Sequence, residues 1–121
     1  ARHYRDHLRE LAWLKLPEPA SGRSHVYHLF CVRSPIRDFV RERLLARGIP
    51  TAVYYPRPLH LQEAYRTLGH EPGSFPEAER LSAESLALPL SPFMTAEEQD
   101  RVVEALHEIG KEVNGACCES D

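Results

Sequence analysis

Val26-Tyr27-His28-Leu29-Phe30-Cys31-Val32-Arg33-Ser34-Pro35-Ile36-Arg37-Asp38-Phe39-Val40, running on through Leu44 and Leu45 to Gly48, changes its hydrophobic period part-way. Val26, Tyr27, Leu29, Phe30, Cys31 and Val32 form a run rich in β-branched and aromatic residues and apolar on both faces, which predicts a central strand covered on each side. Ser34-Pro35 then supplies an N-cap followed by proline at the first helical position, where its missing N–H leaves nothing unsatisfied. The spacing beyond predicts a helix over 35–47, with Phe39, Val40, Leu44 and Leu45 as its buried stripe. Gly48 suits the left-handed residue that ends it. A strand feeding a helix within so short a stretch sets the fold class as α+β.

Working outward, Tyr4, Leu8, Leu11 and Ala12 recur at helical spacing over 3–15, and Pro17 with Pro19 stop the helix. Pro19 to Arg23 is a turn-rich connector. Downstream, Thr51 to Tyr55 reads as a short strand that Pro56 and Pro58 end, because neither can donate to a ladder. The segment 56–61 is then irregular. Ser74-Phe75-Pro76-Glu77 has the spacing of a capping box opening a helix with Ala78 and Leu81, and 86–90 reads as a strand. Thr95-Ala96-Glu97-Glu98 is a second capping box, with Val102, Val103, Leu106 and Ile109 in register behind it and Gly110 closing the run. Helices packed on a small sheet of about three strands follow, with a domain over 1–110 and a flexible tail over 111–121. No internal repeat is visible.

The 121 residues suit one domain able to bury its own core, and 42% hydrophobic with 27% charged residues is a globular composition. No apolar run is long enough to cross a bilayer, so no membrane partner is expected. A formal net charge of -3 argues against the phosphate-backbone attraction of nucleic-acid binders, so none is expected either. Cys31, Cys117 and Cys118 make an odd number, and the adjacent pair could not staple a fold, which points to a reducing, cytoplasmic setting. A start at Ala1, with Met94 as the only methionine, suggests a processed product or a piece of a longer reading frame.

A self-contained active site is not evident from the residues. His3 and His7 lie one helical turn apart, but no third ligand follows nearby, and a solvated helix face explains them better. His25 and His28 have opposite parity on a strand and cannot readily share a metal. No phosphate-cradling glycine loop and no nucleophile elbow occurs. The most unusual segment is Tyr54-Tyr55-Pro56-Arg57-Pro58-Leu59-His60-Leu61-Gln62. Its prolines present aromatic, cationic, imidazole and amide groups with little entropy left to lose, which suits ligand contact. Tyrosines that pack and an arginine that is solvated fit the composition equally well.

Three blocks together resemble one family, the DegT/DnrJ/StrS nucleotide-sugar aminotransferases of pyridoxal-phosphate fold type I. The first is His25-Val26-Tyr27-His28-Leu29-Phe30 with Val32-Arg33. The second is Gly48-Ile49-Pro50-Thr51 continuing through Tyr55-Pro56-Arg57-Pro58-Leu59-His60-Leu61-Gln62-Glu63-Ala64-Tyr65. The third is Ala78-Glu79-Arg80-Leu81 through Leu86-Ala87-Leu88-Pro89-Leu90, continuing to Met94-Thr95 and Asp100-Arg101-Val102-Val103.

The resemblance, running from about residue 2 to 110, implies a carboxy-terminal small domain packed on a larger cofactor-binding domain, in a homodimer with active sites between subunits. It implies transfer of an amino group, usually from glutamate, to a keto sugar carried on a nucleotide. In such enzymes the start of the proline-rich block reaches the active site, often with histidine or an aromatic residue. Here that position is Tyr54, with Tyr55 beside it; His60 is a further substrate-side candidate, and His28 faces or supports the site. A tyrosine can hydrogen-bond sugar hydroxyls while its ring packs on the sugar, and a neutral histidine donates and accepts. The family's cofactor lysine has no counterpart, since Lys15 and Lys111 lie in no matching motif. Pyridoxal 5'-phosphate is therefore expected in the intact enzyme and not tightly bound to this chain alone, which catalyses nothing by itself. A stand-alone dimerisation or interaction module, and part of a related sugar dehydratase whose lysine is replaced by histidine, remain alternatives.

Overall fold

The change of hydrophobic period around Ser34 is where strand passes to helix in the computed structural model, which describes residues 1–116. Strand β1 (Phe30–Arg33) pairs antiparallel with β2 (Ser85–Leu88), Phe30 opposite Leu88 and Arg33 opposite Ser85. Single bridges extend the ladder at both edges, Lys15 to Arg33 and Ala52 to Ala87. The sheet expected to have about three strands is thus two strands with a one-residue bridge on each side. Around it lie α1 (Arg2–Leu8), α2 (Arg37–Ala46), α3 (Pro76–Glu84) and α4 (Ala96–Ala116), with 3₁₀ segments at Leu59–Leu61 and Glu63–Leu68. The mixed α and β class stands.

Each difference from the sequence expectations has a local cause. The first helix ends at Leu8 rather than near 15, and Lys15 is instead bridged to β1, its N–H donating to the Arg33 carbonyl at 2.8 Å and its carbonyl accepting the Arg33 N–H at 2.9 Å. β1 begins at Phe30 rather than Val26, because Tyr27 sits at φ 51, in the left-handed region where a ladder cannot continue. That conformation costs a non-glycine residue about 1–2 kcal/mol. Tyr27 is held in it by donating its N–H to His25 Nδ1 at 2.8 Å and by stacking on His25 and Phe30. Val26 is left 91% exposed. His25 and His28 consequently lie outside any strand, and the parity argument made for them does not apply.

Ser34 opens a turn rather than capping the helix directly: its Oγ accepts the Ile36 N–H and its C=O the Arg37 N–H. α2 therefore starts two residues late. Val40 and Leu44 are fully buried, Phe39 is half-buried beneath the Arg43 guanidinium, and Leu45 falls off the stripe into solvent. Gly48 closes α2 as expected, at φ 71, with its N–H on Leu45 C=O and the Ile49 N–H on Leu44 C=O. The first capping box does not form, since Ser74 Oγ instead accepts the Glu71 N–H. The second does: Thr95 N–H donates to Glu98 Oε2 at 2.8 Å and Glu98 N–H to Thr95 Oγ1 at 3.2 Å.

Gly110 does not end α4, which runs on to Ala116 through much of the expected tail; Cys117 and Cys118 lie outside the described residues. A Cβ at Gly110 would stand 3.0 Å from Trp13 Nε1 and 3.4 Å from Leu11 Cδ2. The glycine is there to let the segment after α1 lie against α4, a packing role rather than a stop. α4 also packs on α2, and Tyr4, Leu8, Phe30, Val32, Val40, Leu44, Leu86, Leu88, Leu106 and Ile109 meet in one core. Arg37 fastens this core to the start of β2. Its side chain is buried, and Nη1 donates to the Ser82 and Ser85 carbonyls at 3.1 and 3.0 Å, leaving neither carbonyl orphaned. No helix among the described residues is long and apolar enough to cross a membrane.

Candidate functional site

The unusual segment from Tyr54 to Gln62 leaves the sheet at Ala52, whose bridge to Ala87 has N···O distances of 3.2 and 2.7 Å. Pro50 and Pro56 bracket it and cannot donate, so the expected strand over 51–55 shrinks to that single bridge. Tyr54 and Tyr55, joined by a cis peptide bond, are 50% and 67% exposed, their rings edge to face with centroids 6.1 Å apart. Pro56, Arg57 and Leu59 beside them are exposed too. Gln62 reaches back across the turn, its Nε2 donating to the Arg57 carbonyl at 3.3 Å. The two phenols are therefore presented to solvent by a short, closed turn.

His60 behaves differently from the tyrosines. Its side chain is only 8% exposed and its Nε2 lies 3.0 Å from Glu79 Oε1. The Phe75 ring stands edge-on to it at 4.9 Å, with His70 beyond at 6.4 Å. Glu79 Oε1 also accepts the backbone N–H groups of Gly73 at 2.8 Å and Phe75 at 3.3 Å. Burial pushes the Glu79 carboxyl up, but the Gly73 N–H, the His60 imidazole and the Phe75 N–H together outweigh it and hold the group below the ordinary carboxylate range. An ionised carboxylate can only accept, so the hydrogen on His60 Nε2 points at Glu79. A cleft of about 320 Å³ opens beside His60, lined by Arg57, Gln62, Arg66 and His70 among others.

His28 is exposed at the far end of the sheet, in a separate cleft of about 450 Å³ with Ala1, Val26, Tyr27 and Leu90. His28 shares its cleft with Leu90, beyond the Phe30–Leu88 end of the ladder, whereas the tyrosine segment departs from Ala52 beside Ala87. Tyr54, Tyr55 and His60 lie on one excursion of the chain, the tyrosines in solvent and His60 against Glu79, and His28 lies outside it. Sequence reasoning missed Glu79 as a member of the cluster; its one signal was a carboxylate five residues past Ser74, spaced to reach the amides before the helix.

On α1, His3 Nε2 lies 2.8 Å from Asp100 Oδ1 on α4, and His107 Nε2 lies 2.9 Å from the His7 carbonyl. These contacts join two helices. Among the described residues no group of three or more histidine, cysteine or acidic side chains is arranged to hold a metal ion. Cys31 on β1 is half-buried, and burial pushes its thiol up, away from the reactive thiolate.

Residues 1–107 match the model of the DegT/DnrJ/EryC1/StrS aminotransferase family. The chain belongs to this family. It is 40% identical over 106 residues to the erythromycin biosynthesis sensory transduction protein EryC1 of Saccharopolyspora erythraea, covering 88% of this chain and 29% of that protein. With dTDP-3-amino-3,4,6-trideoxy-alpha-D-glucose transaminase of Streptomyces venezuelae it shares 38% identity over 116 residues, 96% of this chain and 31% of the enzyme. The crystal structure of S. venezuelae DesV in complex with a ketimine intermediate superposes with a TM-score of 0.87 at 38% identity, over 90% of this chain and 29% of that one. The chain therefore spans under a third of the length of these relatives.

Another similar structure, ntda from Bacillus subtilis, carries bound PMP and matches with a TM-score of 0.78 at 33% identity, over 91% of this chain and 26% of that one. A family member built on this cofactor chemistry needs a lysine for the Schiff base and a carboxylate for the pyridine nitrogen. Lys15 and Lys111 are both exposed, one on the edge bridge to Arg33 and one on α4. Neither has the enclosed seat that such a lysine requires. The residues present do not fit the cofactor, and no step through it is assigned to them.

Proposed function

We propose that this chain is the carboxy-terminal small domain of a pyridoxal-phosphate-dependent aminotransferase that moves an amino group, usually glutamate's, to a keto sugar on a nucleotide. In the intact enzyme, a homodimer in the cytoplasm, the cofactor and its lysine are supplied outside residues 1–110. The observation that carries the reading is the near-complete match of this chain to a segment of dTDP-sugar transaminases. The site contributes binding. Tyr54 and Tyr55 offer phenol donors and ring faces to the sugar, His60 fixes the turn beneath them, and His28 supports from the other end of the sheet.

The test is glutamate-dependent amination of a dTDP-linked 3-keto sugar by the complete protein carrying this segment. Tyr54→Ala is expected to raise KM about tenfold with kcat retained to within a few-fold, the pattern of lost binding rather than lost chemistry. Absence of any amination, or a stable internal-aldimine absorbance from residues 1–121 alone, would overturn the reading. A sugar dehydratase is the alternative reading, and histidine at the cofactor-lysine position of the complete protein would favour it.

A further inference from the structure

The turn that presents Tyr54 and Tyr55 has little apolar anchorage: Val53 before it packs partly buried on the core, and Leu61 after it is half-buried. Tyr54, Tyr55, Pro56, Arg57 and Leu59 are all exposed, and neither 3₁₀ segment that follows contributes a buried residue. A segment with so little burial is ordered only by its ties. Besides the Gln62 Nε2–Arg57 carbonyl bond within the turn, one tie lies at each end. At the near end Ala52 is hydrogen-bonded to Ala87 of β2. At the far end His60 is bound to Glu79 of α3, and the same carboxylate collects the Gly73 and Phe75 amides. Between the ties are two prolines, which leave the intervening backbone few states once both ends are fixed.

We infer that Glu79 is a positioning residue for substrate: by gripping His60 and the 73–75 backbone at once, it sets where Tyr54 and Tyr55 stand. The inference rests on the reading of those tyrosines as nucleotide-sugar contacts. Glu79 itself touches neither substrate nor cofactor. Its carboxylate orients the His60 ring with Nε2–H inward, and the ring carries the turn.

The decisive comparison is of wild-type, Glu79→Ala and Glu79→Gln chains by backbone NMR relaxation, without ligand. In Glu79→Ala the amide order parameters over 54–59 are expected to fall from about 0.85 to below about 0.6 while those of α4 hold; Glu79→Gln, which keeps an acceptor oxygen, restores most of the order. Unchanged order at 54–59 in Glu79→Ala would sink the inference. If Glu79→Ala does not fold, His60→Phe decides, since it keeps the ring contact with Phe75 and removes the Nε2–H; a turn as ordered as wild type would again overturn it. In the complete protein, Glu79→Ala is expected to raise KM for the dTDP-linked keto sugar about three- to tenfold with kcat little changed. A turn that loosens in Glu79→Ala with no effect of Tyr54→Ala on KM would count against the tyrosine contacts, not against the tie.

Discussion

The layered core and the 53–75 excursion are held by different physics. In the core, fully buried side chains from α1, β1, α2, β2 and α4 touch one another, and stability comes from removing apolar surface from water. In the excursion Tyr54, Tyr55, Leu59, Tyr65 and Leu68 are exposed, and order comes from a backbone bridge, a histidine–carboxylate contact and two caught amides. The first arrangement fixes a shape cooperatively, whereas the second fixes a few positions and leaves the side chains between them free to meet something else. Five of the large hydrophobic residues exposed to solvent, Tyr54, Tyr55, Leu59, Tyr65 and Leu68, fall in this excursion.

Substitutions break the comparison most sharply in the core. Leu106→Ala, at a fully buried position of α4, is expected to cost about 3–5 kcal/mol through lost transfer energy and a residual cavity, read from urea denaturation. Next is an alkaline effect from Tyr4, whose OH donates to the Pro89 carbonyl at 2.9 Å and whose phenol burial pushes up to about 12. Because the fold favours the neutral phenol, this contribution is whole below pH 10 and fades as pH rises through about 12. It amounts to about 3 kcal/mol, and urea midpoints at pH 9 and pH 12 should reveal it, with the difference much reduced in Tyr4→Phe. The smallest effect belongs to the excursion. Leu68→Ser, on its exposed 3₁₀ segment, should alter the unfolding free energy read from urea denaturation by no more than about 0.5 kcal/mol, and a loss comparable to Leu106→Ala would erase the distinction drawn between the two regions.

What the sequence made legible was periodicity and caps. Thr95 with Glu98, Gly48 and the apolar run at 86–88 each declare a structure through short-range chemistry, and each forms. The run at 26–29 misleads because strand propensity there is overridden by the left-handed Tyr27, which stacking on His25 and Phe30 and the hydrogen bond to His25 Nδ1 impose. Gly110 misleads for the same reason: a glycine that ends a helix and one that admits an indole look alike until Trp13 is placed over it. In the site, the tyrosine turn could be singled out because prolines mark it. Glu79 could not, since its three partners lie 4, 6 and 19 residues away and only the fold gathers them. The separation of His28 from the tyrosine segment is likewise a matter of pairing, which depends on which residues of β2 face β1 and Ala52.

The bridge at Ala52 bears on how such a domain can diversify. It is a backbone contact, indifferent to the side chains on either side of it, and the tie at the other end sits beyond Pro58. Residues 54–57 can therefore be exchanged without disturbing the pairing that holds the turn or the packing that folds the domain. A lineage could therefore change what these positions contact at almost no risk to its foldedness.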